Sequence, residues 1–148
     1  MIGEKCDLGR GFWKKSRLTS GKEIDSLREQ NIPSNSKTID RTMGRNTIIS
    51  HKSTDIRLKS YSRTSAVYRT GMRYVRQLAS YTGEVRRDLK KKATYYLHWA
   101  IETEGSKRIL EWFIPLDGID NEQELVLSRV VDDAQELGVE VHVYRVAE

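Results

Sequence analysis

The sequence predicts an α/β fold in which a central mixed β-sheet is flanked by helices, and three observations support this prediction. Residues 37–40 and 46–52 are two short β-prone segments joined by a polar turn around Gly44. Residues 65–79 carry apolar side chains at helical spacing. Residues 107–146 then follow the order strand, helix, strand, which is typical of a right-handed parallel crossover.

The composition is that of one small folded domain. The chain has 148 residues, of which 37% are hydrophobic and 32% are charged, enough apolar content for a single core. No apolar run is long enough to predict a membrane span. The single Cys6 excludes an internal disulfide, and no paired Cys/His spacing predicts structural zinc. The scattered His51, His98 and His142 are interpreted as packing or surface residues.

The N-terminal part is expected to divide into a lead-in and the start of the domain. Residues 1–17 are glycine-rich and basic, so they are expected to form a flexible lead-in. Residues 18–148 are expected to form a single domain. It opens with a short helix over residues 19–29, which Pro33 follows.

The two β-prone segments each end near a residue that can take part in chemistry. Asp40 closes the first segment and Lys52 closes the second. Side chains of matching parity on adjacent strands lie within about 5 Å of each other. An acid and an ammonium can therefore face one cleft. The alternative is an exposed ion pair worth under about 1 kcal/mol.

The next helix is predicted over residues 65–79 and carries two stripes. The apolar stripe is expected to face the core and contains Tyr68, Met72, Val75 and Leu78 or Ala79. The basic stripe contains Arg69, Arg73 and Arg76, which either are solvated or contact phosphates. Gly71 inside this helix costs about 1 kcal/mol relative to alanine. Gly83 is expected to mark the helix end, and residues 84–92 are expected to form a further basic helical turn.

The remainder of the chain is predicted to be scaffold. Residues 95–104 and 107–115 are predicted to be two strands joined by a turn at 104–106. Asp120 is a suitable N-cap for a helix that runs to Leu137, before Gly138. The helix side chains expected to face the core are Leu125, Val130, Val131, Ala134 and Leu137. Residues 139–146 alternate as a final half-buried strand.

Charge is distributed unevenly along the chain. Residues 57–92 contain 11 Lys or Arg and 2 acids, whereas residues 107–148 contain 4 Lys or Arg and 10 acids. A basic segment attracts polyanions such as nucleic acid through phosphate contacts and counterion release. The alternative is a solvated helix face.

The acids and Lys52 match the needs of metal-dependent phosphodiester hydrolysis. Mg²⁺ prefers oxygen ligands and keeps several waters, and the reaction also uses a positive group near the phosphate. Asp40 supplies one carboxylate, and Asp25 or Glu23 on the preceding helix supplies a second. Lys52 supplies the ammonium, and Ser50, two residues earlier on the same face, can hold a metal-bound water.

This arrangement resembles the PD-(D/E)xK nucleases, in which a helix acid and a strand aspartate precede an acid-x-Lys strand. Ser50 stands where that motif has an acid. The matching segments are residues 21–25, 32–40 and 50–55, then Tyr68 and Tyr74, Ile114-Pro115 and residues 138–141. Together they are similar to the restriction-endonuclease-fold toxin domains at the C-terminal tips of contact-dependent growth inhibition proteins (CdiA-type) and other bacterial polymorphic toxins. The resemblance covers about residues 21–146.

The resemblance implies a PD-(D/E)xK restriction-endonuclease-like core, dependence on Mg²⁺ or Mn²⁺, and a cognate immunity protein as partner. It implies a secreted or cell-surface effector of one bacterium that acts in the cytoplasm of a target cell. By position it assigns the helix acid to Asp25, with Glu23 as a competitor, and the strand acid to Asp40. The Ser-x-Lys pair falls on Ser50 and Lys52, and the following acid on Asp55. The family analogy favours tRNA as substrate, with DNA as the alternative.

The basic segment is predicted to bind the nucleic-acid backbone. The residues assigned to this role are Arg57, Lys59, Arg69, Arg73 and Arg76. Two other classes of function compete with a nuclease. One is a non-catalytic nucleic-acid-binding module with a degenerate site, and the other is a protein-interaction domain.

Overall fold

The computed structural model describes residues 2–7, 12–14, 39–43, 46–81, 84–87, 96–99 and 106–147. Its strands and helices, in chain order, are β1 (Ile2–Asp7), β2 (Arg41–Met43), β3 (Thr47–Ser53), α1 (Thr64–Ala79), β4 (Glu84–Arg87), β5 (Tyr96–Trp99), β6 (Lys107–Pro115), α2 (Asn121–Glu136) and β7 (Val139–Ala147). Short 3₁₀ turns lie at Phe12–Lys14 and Lys59–Tyr61. The helix predicted over residues 19–29 lies outside the described residues.

Five strands form the main sheet in the order β1-β7-β6-β3-β2. The first four run parallel to one another, and β2 pairs antiparallel with β3. A separate two-stranded antiparallel sheet contains β4 and β5. The predicted mixed sheet with helices is therefore confirmed.

The main core lies between the sheet and the two helices. It combines apolar residues of β3, β6 and β7 with those of α1 and α2, including Ile48, Leu110, Trp112, Val141, Val75, Leu78, Leu127 and Val130. A second, smaller cluster covers the opposite face of the sheet and contains Phe12, Phe113, Tyr144 and Val146. Since both faces of the central strands are covered, charged residues there need buried partners.

The expected lead-in contributes to this second face. Ile2–Asp7 pair with β7 as an edge strand, and Phe12 is fully buried against the sheet. Trp13 packs beside it, and its indole N–H donates to the Val146 carbonyl at 3.4 Å. These residues thus contribute to the sheet, and the flexible lead-in expected over residues 1–17 stays a prediction. A domain boundary at residue 17 stays a prediction.

The strands predicted over residues 95–104 and 107–115 are present as β5 at Tyr96–Trp99 and β6 at Lys107–Pro115, but they do not pair with each other. β5 pairs with β4, whereas β6 pairs in parallel with β3 and β7. Seven consecutive residues of β6, from Ile109 to Pro115, are buried, as expected for a central strand covered on both faces. The basic helical turn predicted over residues 84–92 is also wrong at Glu84–Arg87, which form β4 because β5 supplies a partner strand.

The apolar stripe and the basic stripe that were predicted for this helix are confirmed in α1. Met72, Val75 and Leu78 are buried, while the three arginines of the basic stripe, Arg69, Arg73 and Arg76, are exposed. The helix ends at Ala79, and Ser80 is its C-cap. Neither helix in the described part of the chain is long and apolar enough to cross a membrane.

Helix α2 begins where the sequence predicted. Asp120 accepts a hydrogen bond from the Gln123 amide at 2.8 Å, and the Gln123 side chain accepts one from the Asp120 amide at 3.2 Å. This capping box satisfies N–H groups that the first helical turn leaves open. After the helix, Gly138 adopts a φ of 75°, the left-handed conformation that favours glycine.

The predicted core face of α2 is partly wrong. Leu125 and Leu137 are 68% and 44% exposed, whereas Val130 and Ala134 are buried as predicted. The buried stripe contains Gln123, Val126, Leu127, Val130 and Ala134. The buried Gln123 side chain has a hydrogen-bond partner, because its amide donates to the Ile56 carbonyl at 2.7 Å.

Candidate functional site

The candidate site is built at the junction of β2 and β3. The predicted antiparallel pair exists, and its first strand within the described residues begins at Arg41, directly after Asp40, whereas residues 37 and 38 lie outside the described residues. The Asp40 amide donates to the Ile49 carbonyl at 2.9 Å, although Ile49 is already the register partner of Arg41. Two residues thus oppose one, as in a β-bulge, a feature common beside active sites.

The bulge places neighbouring side chains on opposite faces of the sheet. Ile39 packs into the core beneath the helices, whereas Arg41 reaches Glu111 on the other face. Between them, the Asp40 carboxyl oxygen Oδ2 accepts a hydrogen bond from the His51 amide at 2.7 Å. Because His51 lies between Ser50 and Lys52, the structure brings Asp40 directly against the Ser-x-Lys segment.

Ser50 and Lys52 face the helices from β3. Ser50 is 2% exposed, and its register partner is the core residue Leu110. Lys52 is half-buried, and its Nζ lies 5.5 Å from the ring centroid of Tyr74 on α1. A cation over an aromatic face is attracted by the ring quadrupole. The ring therefore holds the ammonium near the end of β3.

Tyr74 is itself held by a buried polar chain. Its hydroxyl lies 3.3 Å from Thr54 Oγ1, which also accepts a hydrogen bond from the Trp112 indole at 3.0 Å. Tyr74 and Trp112 also meet edge to face, with centroids 6.0 Å apart. The support beneath Lys52 thus joins the turn after β3, helix α1 and strand β6.

The predicted nucleic-acid-binding residues fall into two groups. Arg57 pairs with Asp55 through contacts of 2.9 Å and 3.0 Å, so both side chains form a local ion pair in the loop after β3. Lys59 is exposed in the following 3₁₀ turn. The exposed arginines of α1 form the second group, and the guanidinium carbon of Arg73 lies 5.4 Å from the Tyr74 ring centroid.

Tyr68, one of the tyrosines in the family resemblance, lies away from Lys52 at the α1–α2 contact. Its hydroxyl donates to the Asp133 carboxylate, and the Arg129 guanidinium lies 4.7 Å from its ring centroid. The hydrogen bond to Asp133 raises the pKa of the Tyr68 phenol above its ordinary value. This tyrosine connects the two helices.

Two oxygen-bearing side chains of the predicted site, Asp40 and Ser50, lie within the described residues. Asp40 supplies a carboxylate and Ser50 a hydroxyl, the oxygen donors that Mg²⁺ and Mn²⁺ accept. The second acid predicted by sequence, Glu23 or Asp25, lies outside the described residues. No group of three or more His, Cys, Asp or Glu forms a metal cage among the residues that the structure describes.

Sequence reasoning missed a buried polar cluster on the opposite face of β3. Glu111, 1% exposed, contacts Arg41, His51 and Tyr144. One signal was available, because Glu111 is the only charged residue within the apolar run Ile109–Pro115. A charge at the centre of a buried strand requires partners.

Comparison with protein families identifies the family to which this chain belongs and its fold. Residues 20–144 match the model of the CDI toxin restriction endonuclease-like domain, where CDI is contact-dependent growth inhibition. The chain belongs to this family. Its mixed sheet and helices are accordingly a restriction endonuclease-like fold, as the sequence resemblance predicted.

A solved structure has a similar fold. It is described as a CdiA-CT/CdiI toxin and immunity complex from Yersinia pseudotuberculosis, and it is 19% identical to the chain. The similarity covers 77% of this chain and 86% of that chain, with a TM-score of 0.56. Comparison with curated proteins gives no match.

Proposed function

We propose that this CDI domain is a divalent-metal-dependent endonuclease toxin that cleaves tRNA. The observation that carries the proposal is the hydrogen bond from the His51 amide to Asp40, which brings an acid against the Ser50–Lys52 segment. An acid, a hydroxyl and an ammonium at one strand junction are the groups that phosphodiester hydrolysis needs. The choice of tRNA over DNA rests on the family resemblance.

The proposed roles follow from the chemistry of each side chain. Asp40, with Glu23 or Asp25, would hold Mg²⁺ or Mn²⁺, which supplies Lewis-acid polarisation and an activated water when bound, and Ser50 would assist by holding a metal-bound water. Lys52 places a fixed positive charge near the scissile phosphate, where negative charge develops in the transition state. Tyr74 keeps the ammonium in place through the cation–π contact. Asp55, paired with Arg57, orders the loop that follows.

The exposed arginines of α1 give the substrate backbone a path to Lys52. Arg73 and Lys52 approach the same ring, so their charged groups lie within about 11 Å of each other. At that separation the two cations can contact phosphates of one nucleic-acid backbone. Arg73 is therefore proposed to bind the backbone beside the cleavage point, with Arg69 and Arg76 farther along.

The toxin role includes delivery and neutralisation. The family is a CDI toxin domain, and the similar Yersinia structure is a toxin and immunity complex. By analogy, a cognate immunity protein is proposed to bind this domain, and delivery is proposed to reach the cytoplasm of a neighbouring bacterium. An acidic immunity protein would suit the basic face of α1, and binding that does not respond to salt would contradict this electrostatic contact.

Cleavage assays with the Asp40→Ala variant test the proposed function. The purified chain is expected to cut total tRNA in the presence of Mg²⁺ or Mn²⁺ and to lose this activity with a chelator. Asp40→Ala is expected to lower the cleavage rate by at least about 100-fold, with tRNA affinity in a gel-shift assay nearly unchanged. Plasmid DNA, incubated in parallel, decides the substrate class.

Glu136→Ala is the matched control, because this exposed acid lies at the far end of α2. It is expected to cleave at the wild-type rate. Metal-independent cleavage would overturn the proposed metal dependence, and an Asp40→Ala variant as active as the wild type would overturn the proposed site. Tight binding without any cleavage would support the non-catalytic binding module instead.

Measuring nucleic-acid binding by the Arg73→Gln variant at several salt concentrations tests whether Arg73 contacts the substrate backbone. Loss of one phosphate contact is expected to lower the slope of log affinity against log salt concentration by about 1 and to weaken binding to all sequences alike. The control is Lys107→Gln, since Lys107 is exposed at the other end of the sheet and pairs with Glu140. An unchanged slope for Arg73→Gln would show that Arg73 does not contact the substrate backbone.

A further inference from the structure

Glu111 occupies an unusual place for a charged residue. It lies at the centre of β6, on the face of the sheet away from α1 and α2, and is 1% exposed. The neighbouring rings of Phe113 and Tyr144 stack with centroids 5.0 Å apart. Burying a carboxyl group in such surroundings is unfavourable unless hydrogen bonds and opposite charges offset the loss of water.

The partners of Glu111 come from three other strands. Oε1 lies 3.4 Å from Arg41 Nη2 on β2 and 3.1 Å from His51 Nε2 on β3. Oε2 accepts a hydrogen bond from the Tyr144 hydroxyl on β7 at 2.8 Å. One carboxyl group thus links β6 to β2, β3 and β7, although β6 shares no backbone pairing with β2.

Two of these partners adjoin the proposed site residues. Arg41 directly follows Asp40, and His51 lies between Ser50 and Lys52. The amide of the same His51 donates to the Asp40 carboxylate. Glu111 therefore contacts the side chains of the residues whose backbone determines where Asp40 meets β3.

The edge of the sheet explains why such an anchor is needed. β2 has only three residues, its pairing is interrupted by the bulge at Asp40, and β3 is its only strand partner among the described residues. Three-residue edge pairing gives few hydrogen bonds and opens easily. A charge-assisted contact from β6 to Arg41 ties this short strand to the centre of the sheet.

We propose that Glu111 is a positioning residue that locks β2 against β3 through Arg41 and His51 and thereby sets the place of the Asp40 carboxylate. Its consequence for catalysis rests on the proposed nuclease function. The lock itself is a property of the fold.

Amide hydrogen exchange, followed by mass spectrometry, tests the lock without reference to activity. Glu111→Gln and Arg41→Gln are expected to raise exchange in residues 39–53 by about tenfold, with β7 exchange unchanged in Arg41→Gln. Tyr144→Phe is the control, because it removes one hydrogen bond to Glu111 but keeps the contacts to Arg41 and His51. It is expected to leave exchange in residues 39–53 at the wild-type level.

Titration of the apoprotein with Mn²⁺ alone measures the effect on the site. Both lock variants are expected to bind Mn²⁺ about tenfold more weakly, the size expected when an outer partner of a metal ligand is lost, and Tyr144→Phe is expected to bind normally. In cleavage assays, the lock variants are expected to recover part of their rate at high Mn²⁺.

The outcomes separate this proposal from the proposed function. Wild-type exchange rates in residues 39–53 of Arg41→Gln would overturn the lock whether or not the chain cleaves nucleic acid. Arg41 decides the case if Glu111→Gln does not fold, because the Arg41 side chain is 17% exposed and its loss leaves Glu111 with His51 and Tyr144. If the wild-type chain does not cleave nucleic acid but both lock variants exchange faster than the wild type, only the nuclease proposal is overturned.

Discussion

Lys52→Met is expected to lower the rate of nucleic-acid cleavage by about 100- to 1,000-fold, the effect of removing one preorganised group that stabilises transition-state charge. Methionine keeps an unbranched apolar stem against the Tyr74 ring, so the variant is expected to fold with the Thr54, Tyr74 and Trp112 contacts unchanged. Single-turnover cleavage of saturating substrate measures the chemical step apart from binding.

Two further variants make the Lys52 result specific. Lys107→Met removes an exposed ammonium at the other end of the sheet and is expected to cleave at the wild-type rate. Tyr74→Leu keeps Lys52 but removes the aromatic ring that holds its ammonium, so its cleavage rate is expected to fall below that of the wild type. Tyr74→Phe keeps the ring, so its cleavage rate is expected to be closer to that of the wild type. If Lys52→Met reduces affinity but not the single-turnover rate, Lys52 binds substrate and does not act in the chemical step.

Gly71→Ala is expected to lower the free energy of unfolding by about 1–3 kcal/mol through overpacking, although alanine favours a helix by about 1 kcal/mol. A Cβ atom at residue 71 would lie 2.8 Å and 2.9 Å from two ring carbons of Trp112 and 3.0 Å from a methyl group of Val130. Trp112 is fully buried, and its indole N–H is bound to Thr54, so the ring has little room to move. Denaturant titration measures the change.

Gln77→Ala is the matched control because residue 77 is exposed on the same helix. It is expected to change the free energy of unfolding by under about 0.5 kcal/mol. Gly71→Ala should also reduce cleavage if it folds, since displacing Trp112 disturbs the contacts beneath Lys52. An alanine variant as stable as the wild type would show that helix α1 shifts away from the sheet at little cost.

The glycine illustrates how local and tertiary effects differ. From the sequence, Gly71 is an unfavourable residue in a helix, and helix propensity offers no reason for it. The structure supplies the reason, because Trp112 of β6 and Val130 of α2 pass where a side chain would begin. Close packing between three elements outweighs the propensity of one.

The acid, the serine and the lysine of the predicted site show the same difference between local and tertiary effects. Asp40, Ser50 and Lys52 could be selected from the sequence because their spacing on two short strands matches a known nuclease pattern. The bulge that brings Asp40 against His51 could not be predicted from the sequence, since it depends on how β2 pairs with β3. The ion pair of Asp55 with Arg57 likewise joins residues that the sequence assigned to separate roles.

Local signals determined much of this protein by themselves. The capping box at Asp120, the left-handed Gly138, the apolar stripe of α1 and the alternation of β7 each act within a few residues, so the sequence predicts them directly.

Only the tertiary structure decided which strands pair and which charges are buried. β6 does not pair with β5, the preceding strand in the sequence, and lies between β3 and β7. A strand that is apolar on both sides is stable only when both of its faces are covered. This position of β6 places Glu111 next to His51 and Arg41, residues 60 and 70 positions away in the chain. Contacts between such distant residues depend on the whole sheet, and no local pattern encodes them.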